Sequence, residues 1–298
     1  MSAAEPVTEA LLRRMPLPRH EKGDDKNARG AVLVAGGCVE VPGAVLLAGL
    51  AALQAGAGRL QLAVCRSIAV PVGVAVPEAR VIGLAETEQG HIAAAAAPVL
   101  AQRGARARAM VLGVGTMAGA ESEALTAQLL EALEGPALVL DAGALAALRG
   151  CRPALRRHAG RAILTPHDGE MAELLEIPRT AVLADPLAAA REAASRFQAV
   201  VVMKGGCTRI VTPQGEAWEC DRGNVGLATS GSGDTLAGIL AGLLARGATP
   251  LQAALWGVYV HGEAGRRLAA DQGPVGFLAR MLPGEVPAIL AALGPPHG

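Results

Sequence analysis

Seven short apolar runs recur along the chain, and no other feature constrains its fold as tightly. They are AVLVA (31–35), LQLAV (60–64), RVIGL (80–84), AMVLG (109–113), ALVLD (137–141), AILT (162–165) and AVVVM (199–203). Most are continuous rather than alternating, as in strands covered on both faces, and the segments between them carry helical spacing. Strand, helix, strand repeated this often predicts an α/β fold. The expected form is a single domain with a mostly parallel central sheet, right-handed crossovers and helices on both faces. Hydrophobic residues make up 51% of the chain but aromatics only 2%, so the core must be built from small aliphatic side chains in close contact. Near Thr208 the rhythm changes. TRIVTP and EAWEC flank Pro213-Gln214-Gly215 and read as a hairpin at one edge. Only helices follow, around 234–246, 251–270 and 284–293, while 41–53 reads as a buried helix. Residues 1–28 read as an N-terminal arm or helix, ahead of one domain spanning 29–298.

Charge excludes several partners. Lys+Arg and Asp+Glu both number 27, so neither nucleic acid nor anionic lipid is expected as a diffuse electrostatic partner, and any anion must be held locally. Cys38, Cys65, Cys151, Cys207 and Cys220 are odd in number, scattered and free of C-x-x-C spacing. Reduced, mostly buried thiols and a cytoplasmic location are expected. The N-terminus lacks the basic-then-apolar order of a signal peptide, and no apolar run approaches a membrane span.

In open parallel sheets, ligands sit beyond the carboxyl ends of the strands. Six polar or glycine-rich segments occupy such positions: Gly36-Gly37-Cys38, Gly113-Val114-Gly115-Thr116, Asp141-Ala142-Gly143, Thr165 to Glu170, Lys204 to Thr208, and Asn224 to Asp234. The last contains ATSGSGDTLAG (228–238). Leu236, Ile239, Leu240, Leu243 and Leu244 form a helical stripe, so a helix is expected to begin at about Gly233. Gly231, Ser232 and Gly233 leave backbone N–H groups unobstructed at its positive end, which makes an oxyanion or phosphate site. Asp234 there either complements the helix dipole or takes a proton from a hydroxyl that attacks the bound phosphate. None of Lys22, Lys26 or Lys204 stands in a P-loop, and Gly36-Gly37 is no dinucleotide fingerprint.

GNVGLATSGSGDTLAGILAGLLARG (223–247) resembles the G-N-x-G-x-A-T-G-G-S-G-D-x-L-x-G segment of ADP- or ATP-dependent NAD(P)H-hydrate dehydratases, a branch of the ribokinase-like superfamily. Upstream, LTPHDGEMAELL (164–175), VVMKGGCTRIVTPQG (201–215) and RGAVLVAGGCVEVPGAVLLAGLAALQAGAG (29–58) resemble further family segments in the right order. The resemblance covers nearly the whole chain. It implies ADP-dependent dehydration of (S)-NADHX and NADPHX to NADH and NADPH, with release of AMP and phosphate. ADP or ATP would be the phosphoryl donor, with Mg²⁺. A symmetrical homo-oligomer such as a tetramer, and a separate NAD(P)HX epimerase as functional partner, are implied as well.

Carried over by position, Asp234 is the base on the substrate hydroxyl. Ala44, Gly115, His167 and Asp234 line the hydrated-dinucleotide pocket. Lys204, Gly205, Gly206, Cys207 and Thr208 form the nucleotide loop, and Gly231, Ser232 and Gly233 bind the phosphoryl group. No residue is expected to ligate a metal directly, although Asp141 is a candidate for water-mediated Mg²⁺. Other readings stand beside these. His167 either lines the pocket or caps the helix starting near Asp168. Glu170 is expected to be helix N-terminal charge and no more, and His261, in a helix near Tyr259, to serve packing. His20 and Asp24 belong either to a pre-strand segment like the family's or to a flexible arm. The sequence departs from the family at Gly113-Val-Gly-Thr-Met117 (G-P-G-L-G), at Gly143 (Asp in D-A-D-A-L), at Asp168 (Pro) and at Ser230 (Gly), so altered substrate contacts are expected. Two alternatives remain: a ribokinase-like vitamin or sugar kinase that releases a stable phosphoester, and a noncatalytic nucleotide sensor.

Overall fold

The computed structural model describes residues 3–21 and 23–294; Lys22, excluded above as a P-loop lysine, lies outside the described residues. Each of the seven short apolar runs becomes a strand. In chain order the strands are β1 (Glu5–Pro6), β2 (Ala31–Ala35), β3 (Arg59–Cys65), β4 (Ala79–Leu84), β5 (Ala109–Leu112), β6 (Ala137–Leu140), β7 (Ala162–Leu164), β8 (Val200–Met203), β9 (Thr208–Val211) and β10 (Ala217–Cys220). They form one ten-stranded sheet in the order β1-β10-β9-β8-β7-β6-β5-β2-β3-β4. Strands β2 to β8 run parallel, and β9 is antiparallel to both β8 and β10. The expected hairpin is present, but it does not form the edge. The N-terminal residues add β1 outside it, parallel to β10.

Strands β2, β5, β7 and β8 are buried at every position, which explains their unbroken apolar runs: helices cover both faces. The sheet order reverses at β2. The chain first moves outward through β3 and β4, then returns to β5 on the other side of β2. At such a switch point two loops diverge and leave a crevice. Here those loops carry Gly36-Gly37 and Gly113-Val114-Gly115.

Helix Ala44–Gln54 starts later than the apolar run, because Pro42 and Gly43 form a turn before it. It packs against helix Ser232–Ala245 almost backbone to backbone. A Cβ at Gly238 would overlap the Ala48 carbonyl oxygen, and one at Gly242 would overlap that of Ala52. Small residues at this contact replace the missing aromatics, bringing the N-terminus of helix Ser232–Ala245 up to the loops that leave the strands. Helices Pro250–Gln272 and Leu282–Leu293 complete this face. Among the described residues no helix is long and apolar enough to cross a membrane.

Candidate active site

Helix Ser232–Ala245 begins one residue earlier than its apolar stripe predicts. Its N-cap is Gly231, in the left-handed region at φ 88°, and no side chain caps it. A Cβ there would strike Leu47 and crowd Ala279 as well as strain the backbone. The uncapped first turn leaves the N–H groups of Gly233 and Asp234 with no partner among the described residues, whereas Ser232 and Thr235 N–H bond to Thr229 and Gly231 carbonyls. Two free amides at a helix N-terminus are an anion site.

Asp234 projects from the same turn, and its carboxylate has no hydrogen bond or ion pair among the described residues. Burial pushes its pKa up to about 6; the Asp141 charge adds to this, and Lys204 opposes it. Such a carboxyl is a competent general base near neutral pH, in the way that ordinary aspartates are not.

Lys204, at the end of β8, is held by its neighbours. Its Nζ donates to Asp141 Oδ1 at 2.8 Å and lies 3.6 Å from Glu170 Oε2. Burial by itself would lower its pKa, but the carboxylates of Asp141 and Glu170 outweigh that and hold it above the usual lysine value. A Cβ on Gly233 would stand 3.5 Å from this ammonium, so the lysine flanks the free amides. Its backbone N–H donates to the Pro166 carbonyl at 2.8 Å, tying the β8 exit to the Thr165–Glu170 loop. Asp141, at the end of β6, is 3% exposed. Its Oδ1 also accepts from Thr165 Oγ1 at 2.7 Å. Thr165 and Glu170 had no predicted part in this cluster, and Glu170 does more than offset a helix dipole.

His167 is the N-cap of helix Asp168–Leu175. Its Nδ1 accepts from the N–H groups of Gly169 and Glu170, and Glu170 returns a bond to the His167 N–H. The capping alternative therefore holds for Nδ1, while the side chain stays half-exposed. His261 differs more from expectation. It reaches Ser232 instead of only filling space, with Nε2 3.0 Å from Oγ and 3.1 Å from the carbonyl oxygen. Nothing local to residue 261 could have signalled that contact.

A second group of residues adjoins the first. A Cβ on Gly115, at φ 63°, would come 2.5 Å from Ala44 Cβ and 3.3 Å from Gly37 Cα, so Ala44 and Gly115 meet at the switch-point crevice. Asp141 links the two groups, because a Cβ on Gly113 would overlap its carbonyl oxygen. Ala142, which follows, sits at φ 45°, a strained conformation for alanine. Two departures from the family pattern touch here. A Cβ at Gly143 would stand 2.5 Å from Thr116 Oγ1 and 3.0 Å from the Thr116 carbonyl oxygen, leaving no room for an acid beside this loop.

In the loop from Lys204 to Thr208, Gly206 approaches Gly223 so closely that a Cβ on Gly223 would overlap the Gly206 carbonyl oxygen. Thr208 Oγ1 donates to the Gly205 carbonyl at 3.4 Å, and Cys207 is half-buried. All five cysteines are free thiols, four of them buried. In the arm, His20 Nδ1 lies 3.2 Å from Asp24 Oδ2.

A cavity of about 870 Å³ lies elsewhere. Leu17, Arg19, Gln54, Trp256 and Leu290 line it together with Arg246, the C-cap of helix Ser232–Ala245. At about 1.5 Å per residue, that is roughly 20 Å from Asp234. Among the described residues no three His, Cys, Asp or Glu side chains converge as a metal cage.

Comparison with known proteins shows the family to which the chain belongs. The family model described as NAD(P)H-hydrate dehydratase matches residues 32–287. An ADP-dependent (S)-NAD(P)H-hydrate dehydratase from Xanthomonas campestris pv. campestris is 48% identical over 288 residues, covering 96% of each chain. A bifunctional NAD(P)H-hydrate repair enzyme Nnr from Moorella thermoacetica is 38% identical over 280 residues, which are 94% of this chain but 53% of that relative. Among solved structures, a ribokinase-like superfamily protein from Enterococcus faecalis superposes with TM-score 0.82 at 23% identity, covering 98% and 97% of the two chains. The ADP/ATP-dependent NAD(P)H-hydrate dehydratase from Bacillus subtilis, co-crystallised with ATP/Mg²⁺, superposes with TM-score 0.79 at 27% identity, covering 98% of this chain and 100% of that one. The fold is ribokinase-like, and the chain belongs to the NAD(P)H-hydrate dehydratase family.

Proposed function

We propose that the chain catalyses ADP-dependent dehydration of (S)-NADHX and (S)-NADPHX, regenerating NADH or NADPH with release of AMP and phosphate. The observation that carries this reading is the unpartnered Asp234 carboxylate, beside two free helix amides and an ion-paired lysine. Asp234 takes the proton of the substrate hydroxyl as its oxygen attacks the terminal phosphorus of ADP, and AMP leaves. The Gly233 and Asp234 amides, with Gly231 and Ser232 shaping their turn, stabilise the negative charge on the transferred group. Lys204 supplies a fixed positive charge, with Gly205, Gly206, Cys207 and Thr208 as the rest of the nucleotide loop. Loss of phosphate and of a ring proton then restores the double bond, because phosphate leaves where hydroxide does not. Ala44, Gly115 and the exposed face of His167 hold the hydrated dinucleotide.

The site fits a nucleotide, since its free donors match phosphate oxygens. Mg²⁺ supplies further charge neutralisation when bound. Asp141 is the residue to hold it, through water, because its Oδ1 is already engaged by Lys204 and Thr165. The catalytic domain is read as 29–298 and the segment 1–28 as an addition to it, whose described residues join the sheet through β1 and bury Leu11 and Leu12. Assembly as a homotetramer, cytoplasmic location and cooperation with an NAD(P)HX epimerase complete the reading. The names of the bifunctional repair enzymes support the last of these.

The test is to incubate purified protein and Mg²⁺ with NADHX or NADPHX, and with ADP or ATP. Reduced-nicotinamide absorbance should return, with one phosphate released per cofactor. Accumulation of a stable phosphoester instead would identify a kinase. Nucleotide binding without turnover would identify a sensor.

A further inference from the structure

Helix Ser232–Ala245 lacks the side-chain cap that usually fixes a first turn, yet its first peptide must be held still if its N–H is to meet a developing charge. His261, near the middle of helix Pro250–Gln272, reaches that peptide from the side. Its Nε2 lies 3.1 Å from the Ser232 carbonyl oxygen and 3.0 Å from Ser232 Oγ. The peptide unit is planar, so the Ser232 carbonyl and the Gly233 N–H are opposite ends of one rigid dipole. A donor fixed on the oxygen therefore fixes the direction of the N–H. It also polarises the amide, which makes the N–H a stronger donor. That N–H is one of the two with no partner among the described residues. Burial pushes the His261 imidazole down to about 4, against the bond to Ser232, so it is neutral near pH 7 and carries one N–H. Placed on Nε2, this proton donates to the carbonyl and leaves the Ser232 hydroxyl hydrogen available.

We propose that His261 is a positioning residue for phosphoryl transfer, holding the Ser232–Gly233 peptide so that the Gly233 N–H faces the transferred group. This rests on the reading of helix Ser232–Ala245 as the phosphoryl site. In this role His261 acts through the Ser232–Gly233 peptide and not on the nucleotide or substrate itself.

Three variants test it. His261→Gln carries an amide nitrogen that reaches the Nε2 position, His261→Asn is too short to do so, and His261→Met fills the space without a donor. Two readouts are needed: the Gly233 amide proton resonance in ligand-free, ¹⁵N-glycine-labelled protein, and kcat and KM for ADP-dependent dehydration. In the Asn and Met variants the resonance should move upfield and kcat should fall roughly 10- to 100-fold, with KM for the hydrate within about twofold. His261→Gln should recover most of both. An unchanged kcat in a folded Met variant overturns the proposal, as does a Gln variant no better than Met. If wild-type protein regenerates no NADH, the dehydratase reading fails. The Gly233 resonance then decides the role of His261 alone, and identical spectra for wild type and the Met variant reject it.

Discussion

Replacing Asp234 with Asn should give a protein that is more stable and almost inactive. The carboxyl rises from an ordinary 3.8 to about 6, first through burial and then through the charge of Asp141. Keeping it ionised at pH 8 therefore costs about 3 kcal/mol of folding stability at roughly 1.4 kcal/mol per pH unit. Between the two values the folded state binds more protons than the unfolded one, so this cost is absent below about pH 4, grows as pH rises and is fully present once pH has passed about 6. Asparagine removes the charge but must still house an amide, which brings the expected gain at pH 8 to about 1–3 kcal/mol. With a urea slope of about 3 kcal/mol per molar, the denaturation midpoint should rise by up to about 1 M at pH 8 and hardly at all near pH 4. Turnover should fall on the order of 10²- to 10⁴-fold. A variant no more stable than wild type at pH 8, or a midpoint difference equal at both pH values, would refute the reasoning that burial and Asp141 load this carboxylate.

Other consequences follow from the same cluster. Since Asp234 must be ionised to act, kcat/KM should rise with pH around a midpoint near 6; a flat profile from pH 5 to 8 would remove it as the base. Lys204→Met strands the buried Asp141 charge and should destabilise the protein by about 3–5 kcal/mol while weakening ADP binding, both measurable by thermal unfolding with and without ADP. Gly143→Asp forces a side chain against Thr116 and should cost about 1–3 kcal/mol; a variant with an unchanged melting temperature would show that the Thr116 loop yields freely.

The seven parallel strands and the helices after residue 230 were legible because each depends on local periodicity. So was the helix start near Gly233: glycines before an apolar stripe are a statement about one turn of backbone. The edge was misplaced because β1 is two residues long and pairs with β10, more than 200 positions away. Residue character gave no sign of the roles of Thr165, Glu170 and His261. A threonine at a strand end, an acid in a first helical turn and a histidine amid apolar neighbours each have an adequate local explanation.

The chain's order of residues thus determined the α/β alternation, the small-residue core and a glycine-led helix start with an acid on it. Only the tertiary structure decided what surrounds that acid. Asp141 and Lys204 are 63 positions apart and Ser232 and His261 are 29 apart. They meet because the sheet order sets β6 and β8 two strands apart and because helix Pro250–Gln272 packs along helix Ser232–Ala245. Burial and neighbouring charge acquire values only once those elements are adjacent, and those values raise an ordinary aspartate to a pKa of about 6.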